Sequence, residues 1–189
     1  MPLTFANKIT ICRILAVPFF IVSILYYSPE KDYLRFVAIG IFSFAVISDI
    51  IDGYIARTRH EKTKAGAILD PLADKLLLIS AFVCLYIIGP LLASVRFPMW
   101  FVVAVISRDV VLLLGAMIIL QVKGDLVVNP TIWGKASAFF QVSSVLGILW
   151  QWPFSSMLWI ITLGLTIISG VDYIREGIKI INMVNGVKK

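Results

Sequence analysis

Four aspartates dominate the chemistry that this chain could perform. They fall in two pairs, Asp49 and Asp52 in Ser48-Asp49-Ile50-Ile51-Asp52-Gly53, and Asp70 and Asp74 in Leu69-Asp70-Pro71-Leu72-Ala73-Asp74-Lys75. Spacings of three and four place each pair on one face of a helix. Carboxylates gathered at this density repel one another unless cations neutralise them, and hard divalent ions such as Mg²⁺ or Mn²⁺ prefer oxygen ligands. Four acidic groups could hold two such ions close together, the arrangement used for displacement at phosphorus. Gly53 and Gly66 carry no side chain, so a nucleotide could lie against the backbone between the two helix ends. Arg57, about one turn beyond Asp52, supplies a planar fork suited to phosphate oxygens. Any one aspartate could instead cap a helix, or Asp49 or Asp74 could pair with Arg57 or Lys75. Four together, with both glycines, are not accounted for in that way.

The elements that position these groups are apolar. Of 189 residues, 60% are hydrophobic and 15% charged, with a mean hydropathy of +0.96. A soluble domain carries less apolar and more charged residue, so the composition points to a protein dissolved in lipid and excludes an ordinary soluble enzyme. A spanning helix needs about 20 mostly apolar residues. Six segments qualify: Ile9–Tyr27, Tyr33–Ala56, Ala67–Ile88, Pro98–Gln121, Ile132–Trp152 and Phe154–Ile181. Short links and the lack of an internal repeat predict one domain over residues 1–189, an all-α bundle of six transmembrane helices packed as up-down neighbours. The second and third spans join through a loop of about ten residues, Arg57–Gly66, so all four aspartates converge at one depth near the membrane surface.

Lysine and arginine set the orientation. Lys8, Arg57, Arg59, Lys62, Lys64, Lys123, Arg175, Lys179, Lys188 and Lys189 collect on one side, against Lys31, Arg35 and Arg96 on the other. This puts both termini and the aspartate site in the cytoplasm, with the first span retained. The net charge of +6 reads as basic loops facing an anionic leaflet rather than as a nucleic-acid surface. Cys12 and Cys84 sit in apolar stretches at opposite depths, so both are expected as buried apolar side chains and not as a disulfide. His60 has no ligand pattern beside it and supports no zinc site.

The run Asp49-x2-Asp52-Gly53-x2-Ala56-Arg57-x8-Gly66-x3-Asp70-x3-Asp74 matches, without a departure, the signature of the CDP-alcohol phosphotransferases, and the six-span layout extends the resemblance over most of the chain. The resemblance implies a membrane enzyme that takes a CDP-linked alcohol, usually CDP-diacylglycerol, transfers the phosphatidyl group to an acceptor hydroxyl and releases CMP. It implies that Asp49, Asp52 and Asp70 bind two divalent cations, that Asp74 touches a metal and acts as general base, and that Gly53, Ala56, Arg57 and Gly66 line the CDP site. It also implies a homodimer in a bacterial-type inner membrane, its site facing the cytoplasm.

The amino terminus adds Asn7, Thr10 and Arg13 on one helix face. Bacterial phosphatidylglycerolphosphate synthases have a similar Asn-Lys-Ile-Thr-x-x-Arg start, which implies a supporting role for Asn7 and Thr10 at the CDP pocket; a helix cap and a snorkelling arginine are the plainer alternative. Arg108 in the fourth span and Lys135 in the fifth are intramembrane cations expected to face the polar cavity and receive a phosphate on the acceptor. The plainer alternative for Arg108 is a pair with Asp109. Two acceptors compete. The glycerol-3-phosphate enzymes of the family usually carry Arg-Glu, a second arginine two turns later and a Gly-Lys-x-Lys-Thr run. Here Arg108-Asp109, Ala116 and Gly134-Lys135-Ala136-Ser137 look more like the cardiolipin synthases, whose acceptor is phosphatidylglycerol. The Asn-Lys-Ile-Thr start and Ser169-Gly170-Val171-Asp172-Tyr173 look like the glycerol-3-phosphate type. The expectation leans to phosphatidylglycerol, with glycerol 3-phosphate as the alternative. A small transporter with an acidic metal site is the rival of another class, disfavoured because the acids cluster at one membrane face rather than at the midplane.

Overall fold

The computed structural model describes residues 5–59, 64–92, 96–123 and 131–186, with side chains mainly over 10–51, 72–92, 96–115 and 131–173. Among these residues the chain forms six α-helices: α1 (Phe5–Leu25), α2 (Tyr33–Arg59), α3 (Lys64–Leu92), α4 (Met99–Lys123), α5 (Ile132–Leu149) and α6 (Ser155–Gly186). A single 3₁₀ turn, Pro29–Lys31, joins α1 to α2. Four helices contain stretches long and apolar enough to cross a bilayer, Tyr33–Ile51, Leu72–Leu92, Ile132–Leu149 and Ser155–Tyr173, and α1 contains the shorter Thr10–Leu25. The sequence predicts six spans; the helix number agrees, and the length criterion is met by four among the described residues.

Several boundaries move. Pro90 does not end α3, which runs on to Leu92, and α2 continues through Arg59. Both helices thus reach into the predicted ten-residue loop, and the five peptide links from Arg59 to Lys64 hold the facing helix ends within about 18 Å. At α5, the Thr131 hydroxyl accepts from the Gly134 N–H at 3.1 Å, supplying the acceptor that the first turn lacks.

The packing is not a simple succession of neighbours. Helix α1 lies against both α2 and α3, whereas α2 and α3 touch each other only lightly; α5 pairs with α6, and α4 packs on α3 and α6. Two halves result, α1–α3 and α4–α6, joined mainly through α3. The core that welds them is aromatic. Phe82, Phe97 and Phe101 are fully buried with ring centroids 5.1–5.8 Å apart, and Phe20 meets Phe42 at 5.7 Å. Buried alanines Ala38, Ala45, Ala73 and Ala81 let the helices approach closely, as small residues do in membrane bundles. Ile11, Leu15, Phe19 and Val22 face outward along α1, as expected of a surface solvated by lipid. Cys12 is exposed, contrary to expectation, because it borders an open groove with Phe44, Ala45, Ser48 and Ile51 of α2; Cys84 is buried, and both thiols are free.

At the end of the bundle remote from the aspartates, Arg35 grips Asp32 with two hydrogen bonds of 2.8 Å and reaches the Leu149 carbonyl at 3.3 Å. Gln151 turns the α5–α6 link through a left-handed φ of 56° and donates to the Leu92 carbonyl at 2.6 Å.

Candidate active site

The final turns of α2 carry Asp49, Asp52, Gly53, Ala56 and Arg57, and the opening turns of α3 carry Gly66, Asp70 and Asp74. Both stretches are continuous helix, so the spacings of three and four do put each aspartate pair on a shared face. The side chains of Asp52, Ala56, Arg57 and Asp70, and the surroundings of Gly53 and Gly66, lie outside the described residues, as does the side chain of Asn7. Asp49 and Asp74 are described, and both are half-buried. Asp74 sits within electrostatic reach of Asp49, Arg13, Lys75 and Asp109, which draws the two halves of the bundle into one polar locus.

Helix α1 supplies a residue that sequence reasoning singled out without assigning it a partner. Arg13, only 3% exposed, places its guanidinium 2.5 Å from an Asp49 carboxylate oxygen, while Asp49 keeps 42% of its side chain accessible. Asp49 therefore pairs with Arg13, a partner the sequence reading did not offer; the Arg57 side chain, one of the alternatives it did offer, lies outside the described residues. The reason is topological: α1 wedges between α2 and α3, and its inner face meets both. Thr10, one turn before Arg13, is buried in the same seam.

A second cluster lies deeper. Asp109 is 2% exposed and accepts from Arg108 at 2.7 Å, from Lys75 at 3.0 Å and from Gln141 at 3.5 Å. Arg108 also donates to the Ser169 hydroxyl, and its Nε is buried without a hydrogen-bond partner, as is Gln141 Oε1. The cluster ties α3, α4, α5 and α6 together at one point. Lys75 thus pairs across the bundle with Asp109 and not with the neighbouring Asp74. The Arg108 side chain is largely buried and bound to Asp109 and Ser169. Lys135 is exposed on the first turn of α5, and no hydrogen bond or ion pair among the described residues links it to Arg108. Its neighbour Gly134 passes close to Arg108, so that a Cβ there would lie 3.8 Å from the guanidinium. Below this cluster the hydroxyls of Ser137 and Thr166 (3.3 Å) and of Ser144 and Thr162 (2.8 Å) lace α5 to α6. The Arg108–Asp109 pair was the plainer alternative in the sequence, but Gln141 and Ser169 escaped that reading as partners, as did Lys75 as a partner of Asp109; the available signal was the cost of charge inside a span, which demands compensation from another helix.

Among the described residues no group of three or more His, Cys, Asp or Glu side chains comes together as a metal site. Of the four motif carboxylates the two whose side chains are described, Asp49 and Asp74, are oxygen donors on α2 and α3, and their chemistry fits a hard divalent cation.

A family model of the CDP-alcohol phosphatidyltransferases matches residues 3–168, and the chain belongs to that family. It is 32% identical over 181 residues to a "Probable phosphatidylglycerophosphate synthase" of Mycobacterium tuberculosis (strain CDC 1551 / Oshkosh), covering 92% of this chain and 81% of that one. It is 30% identical over 188 residues to a CDP-diacylglycerol–glycerol-3-phosphate 3-phosphatidyltransferase of Aquifex aeolicus (strain VF5), covering 93% and 96%. A "Putative cardiolipin synthase" of Mycobacterium bovis (strain ATCC BAA-935 / AF2122/97) is 29% identical over 137 residues, 72% of this chain and 60% of that one. The protein is thus a membrane-bound transferase of phospholipid synthesis.

Proposed function

We propose that the protein transfers the phosphatidyl group of CDP-diacylglycerol to the primary hydroxyl of glycerol 3-phosphate, forming phosphatidylglycerophosphate and releasing CMP. The observation that carries the acceptor is the near full-length match to relatives named for that reaction, at 30–32% identity over 92–93% of the chain. The match to a protein named for cardiolipin synthesis is shorter and slightly weaker, so the lean to phosphatidylglycerol read from Arg108-Asp109 and Ala116 gives way to its alternative. Arg108-Asp109 in place of Arg-Glu is a one-methylene change that keeps the carboxylate, so it discriminates poorly between acceptors. Phosphatidylglycerol stays as the second reading because of that relative.

Asp49, Asp52, Asp70 and Asp74 would hold two divalent cations, Mg²⁺ or Mn²⁺. Such ions, when bound, neutralise the diphosphate and the departing CMP. The remaining work falls to the chain. Gly53, Ala56, Arg57 and Gly66, with Asn7 and Thr10 from α1, would receive the CDP moiety at the membrane–water boundary, so that cytidine comes from water while the acyl chains stay in lipid. Arg13 would orient Asp49. Arg108 and Lys135 would receive the acceptor's phosphate, and the buried unpartnered Nε of Arg108 supports that assignment. In the transfer the acceptor oxygen bonds to the β-phosphorus, the P–O bond to CMP breaks, and the hydroxyl proton passes to Asp74. The same reading has six spans, both termini and the site at the cytoplasmic face of the inner membrane, and a homodimer.

The test is an assay of the purified protein with CDP-diacylglycerol and Mg²⁺ or Mn²⁺, offering glycerol 3-phosphate and phosphatidylglycerol separately. CMP and phosphatidylglycerophosphate with glycerol 3-phosphate alone would support the proposal. Cardiolipin formed from phosphatidylglycerol alone would transfer it to the second reading, and metal flux without CMP release would favour a transporter.

A further inference from the structure

Lys75 follows Asp74 directly in the chain, yet its ammonium is bound by a carboxylate of another helix. Asp109 divides its two oxygens: one takes Arg108 and Gln141, and the other is given to Lys75. Arg108 alone would neutralise Asp109, so the Lys75 contact is not needed to satisfy that carboxylate. Buried ion pairs, moreover, contribute little net stability compared with apolar packing. Three charges gathered at one point between the halves of the bundle therefore call for another reason. The ammonium sits on a flexible four-carbon stem, and among the described residues it acts electrostatically on Asp74, which is also within reach of Asp49.

We propose that Asp109 is a positioning residue: by drawing the Lys75 ammonium onto α4, it keeps that cation off the neighbouring Asp74 and so leaves the Asp49–Asp74 locus open to a divalent ion. The inference rests on the transferase reading and deepens it. Without Asp109, the lysine competes with the metal for the same carboxylates. The Lys75–Asp109 bond also registers α3, which carries Asp74, against α4, which carries Arg108, so one contact sets both the charge and the separation of the two sites.

The experiment uses the full chain in detergent, with Asp109→Asn, Lys75→Met and the double variant. It reads the Mg²⁺ concentration for half-maximal CMP release and, in the absence of substrate, the rise in Tm that Mg²⁺ produces. Asp109→Asn is expected to need roughly tenfold more Mg²⁺, the scale of one unit charge acting at close range through a largely aqueous surrounding, and to lose most of the Tm response. The double variant is expected to recover both, and Lys75→Met alone to need no more Mg²⁺ than the wild type. An unchanged Mg²⁺ requirement in Asp109→Asn would overturn the proposal. So would a double variant no better than Asp109→Asn, the result for a purely structural hub. If Asp109→Asn does not fold, Lys75→Met decides, and a raised Mg²⁺ requirement there overturns the idea. Failure of the transferase reading shows separately, as a wild type that releases no CMP.

Discussion

Two carboxylates in this bundle differ in work because they differ in company. Asp74 is half-buried in the third turn of α3, within reach of both cations and acids, whereas Asp109 is sealed among donors. Asp74→Asn retains shape and loses the proton acceptor, so CMP release should fall by about 10²–10⁴-fold while the helical circular dichroism stays unchanged. Full transferase activity in that variant would remove Asp74 from the role of base. Arg13→Met should act differently. It leaves the Asp49 carboxylate without its guanidinium, and because Asp49 is partly exposed the loss of stability should be modest, about 1–2 kcal/mol by thermal unfolding. Its larger effect should be on the metal concentration required for activity, since Asp49 loses its fixed orientation; an unaltered metal titration would show that Arg13 only packs.

At the scale of elements, close approach between helices makes sharper predictions than composition can. A Cβ on Gly115 would lie 2.8 Å from the Tyr173 hydroxyl and 3.0 Å from a ring carbon, and the ring is held by a hydrogen bond to the Leu112 carbonyl. Gly115→Ala should therefore prise α4 from α6, costing about 1–3 kcal/mol against a helix-propensity gain of about 1 kcal/mol. At Gly147 the nearest obstacle is the mobile tip of Leu158 at 2.9 Å, so Gly147→Ala should be close to neutral. Thermal unfolding of the two variants side by side would check the contrast. The turn before α2 gives a pH prediction. The Arg35 guanidinium beside Asp32 holds its carboxyl below the usual carboxylate value. The pair therefore stabilises the fold fully above the ordinary carboxylate range and loses that contribution as pH falls through the lowered value. Asp32→Asn should flatten this acid limb in pH-dependent unfolding, by a small amount because the group is exposed. These elements were readable from the sequence to differing degrees. The apolar runs located all six helices within a few residues, since hydropathy and length act locally. That Arg13 meets Asp49 while Lys75 meets Asp109 was not readable, because those pairings depend on α1 wedging between α2 and α3, a fact of packing that no local spacing encodes.

Taken whole, the molecule is two three-helix halves joined through α3. The motif from Asp49 to Asp74 was legible because its chemistry demands fixed spacings along two helices joined by a short link, and the family match covering residues 3–168 agrees with it. The acceptor was not legible. Residues 108 and 116 lie on α4 and residue 135 on α5, and their joint geometry, not their identities, decides what they hold. The proposed topology gives a direct check: a thiol introduced by Lys62→Cys should react with a membrane-impermeant reagent only from the cytoplasmic side, and one from Arg96→Cys only from the opposite side. Labelling of both from one side would refute the arrangement.

The pairing inside α4 also bears on how the chain is made. Arg108 and Asp109 are neighbours in sequence, so α4 enters the bilayer carrying its own counter-ion. Lys75 arrives earlier in synthesis on α3, close to the surface end of its apolar stretch, where a lysine can reach the headgroups until α4 follows. Gln141 and Ser169 come last, on α5 and α6. Each charge thus meets its partner in the order in which the ribosome delivers the helices. A nascent chain halted after α4 already contains the Lys75–Asp109–Arg108 cluster onto which the remaining hairpin can close.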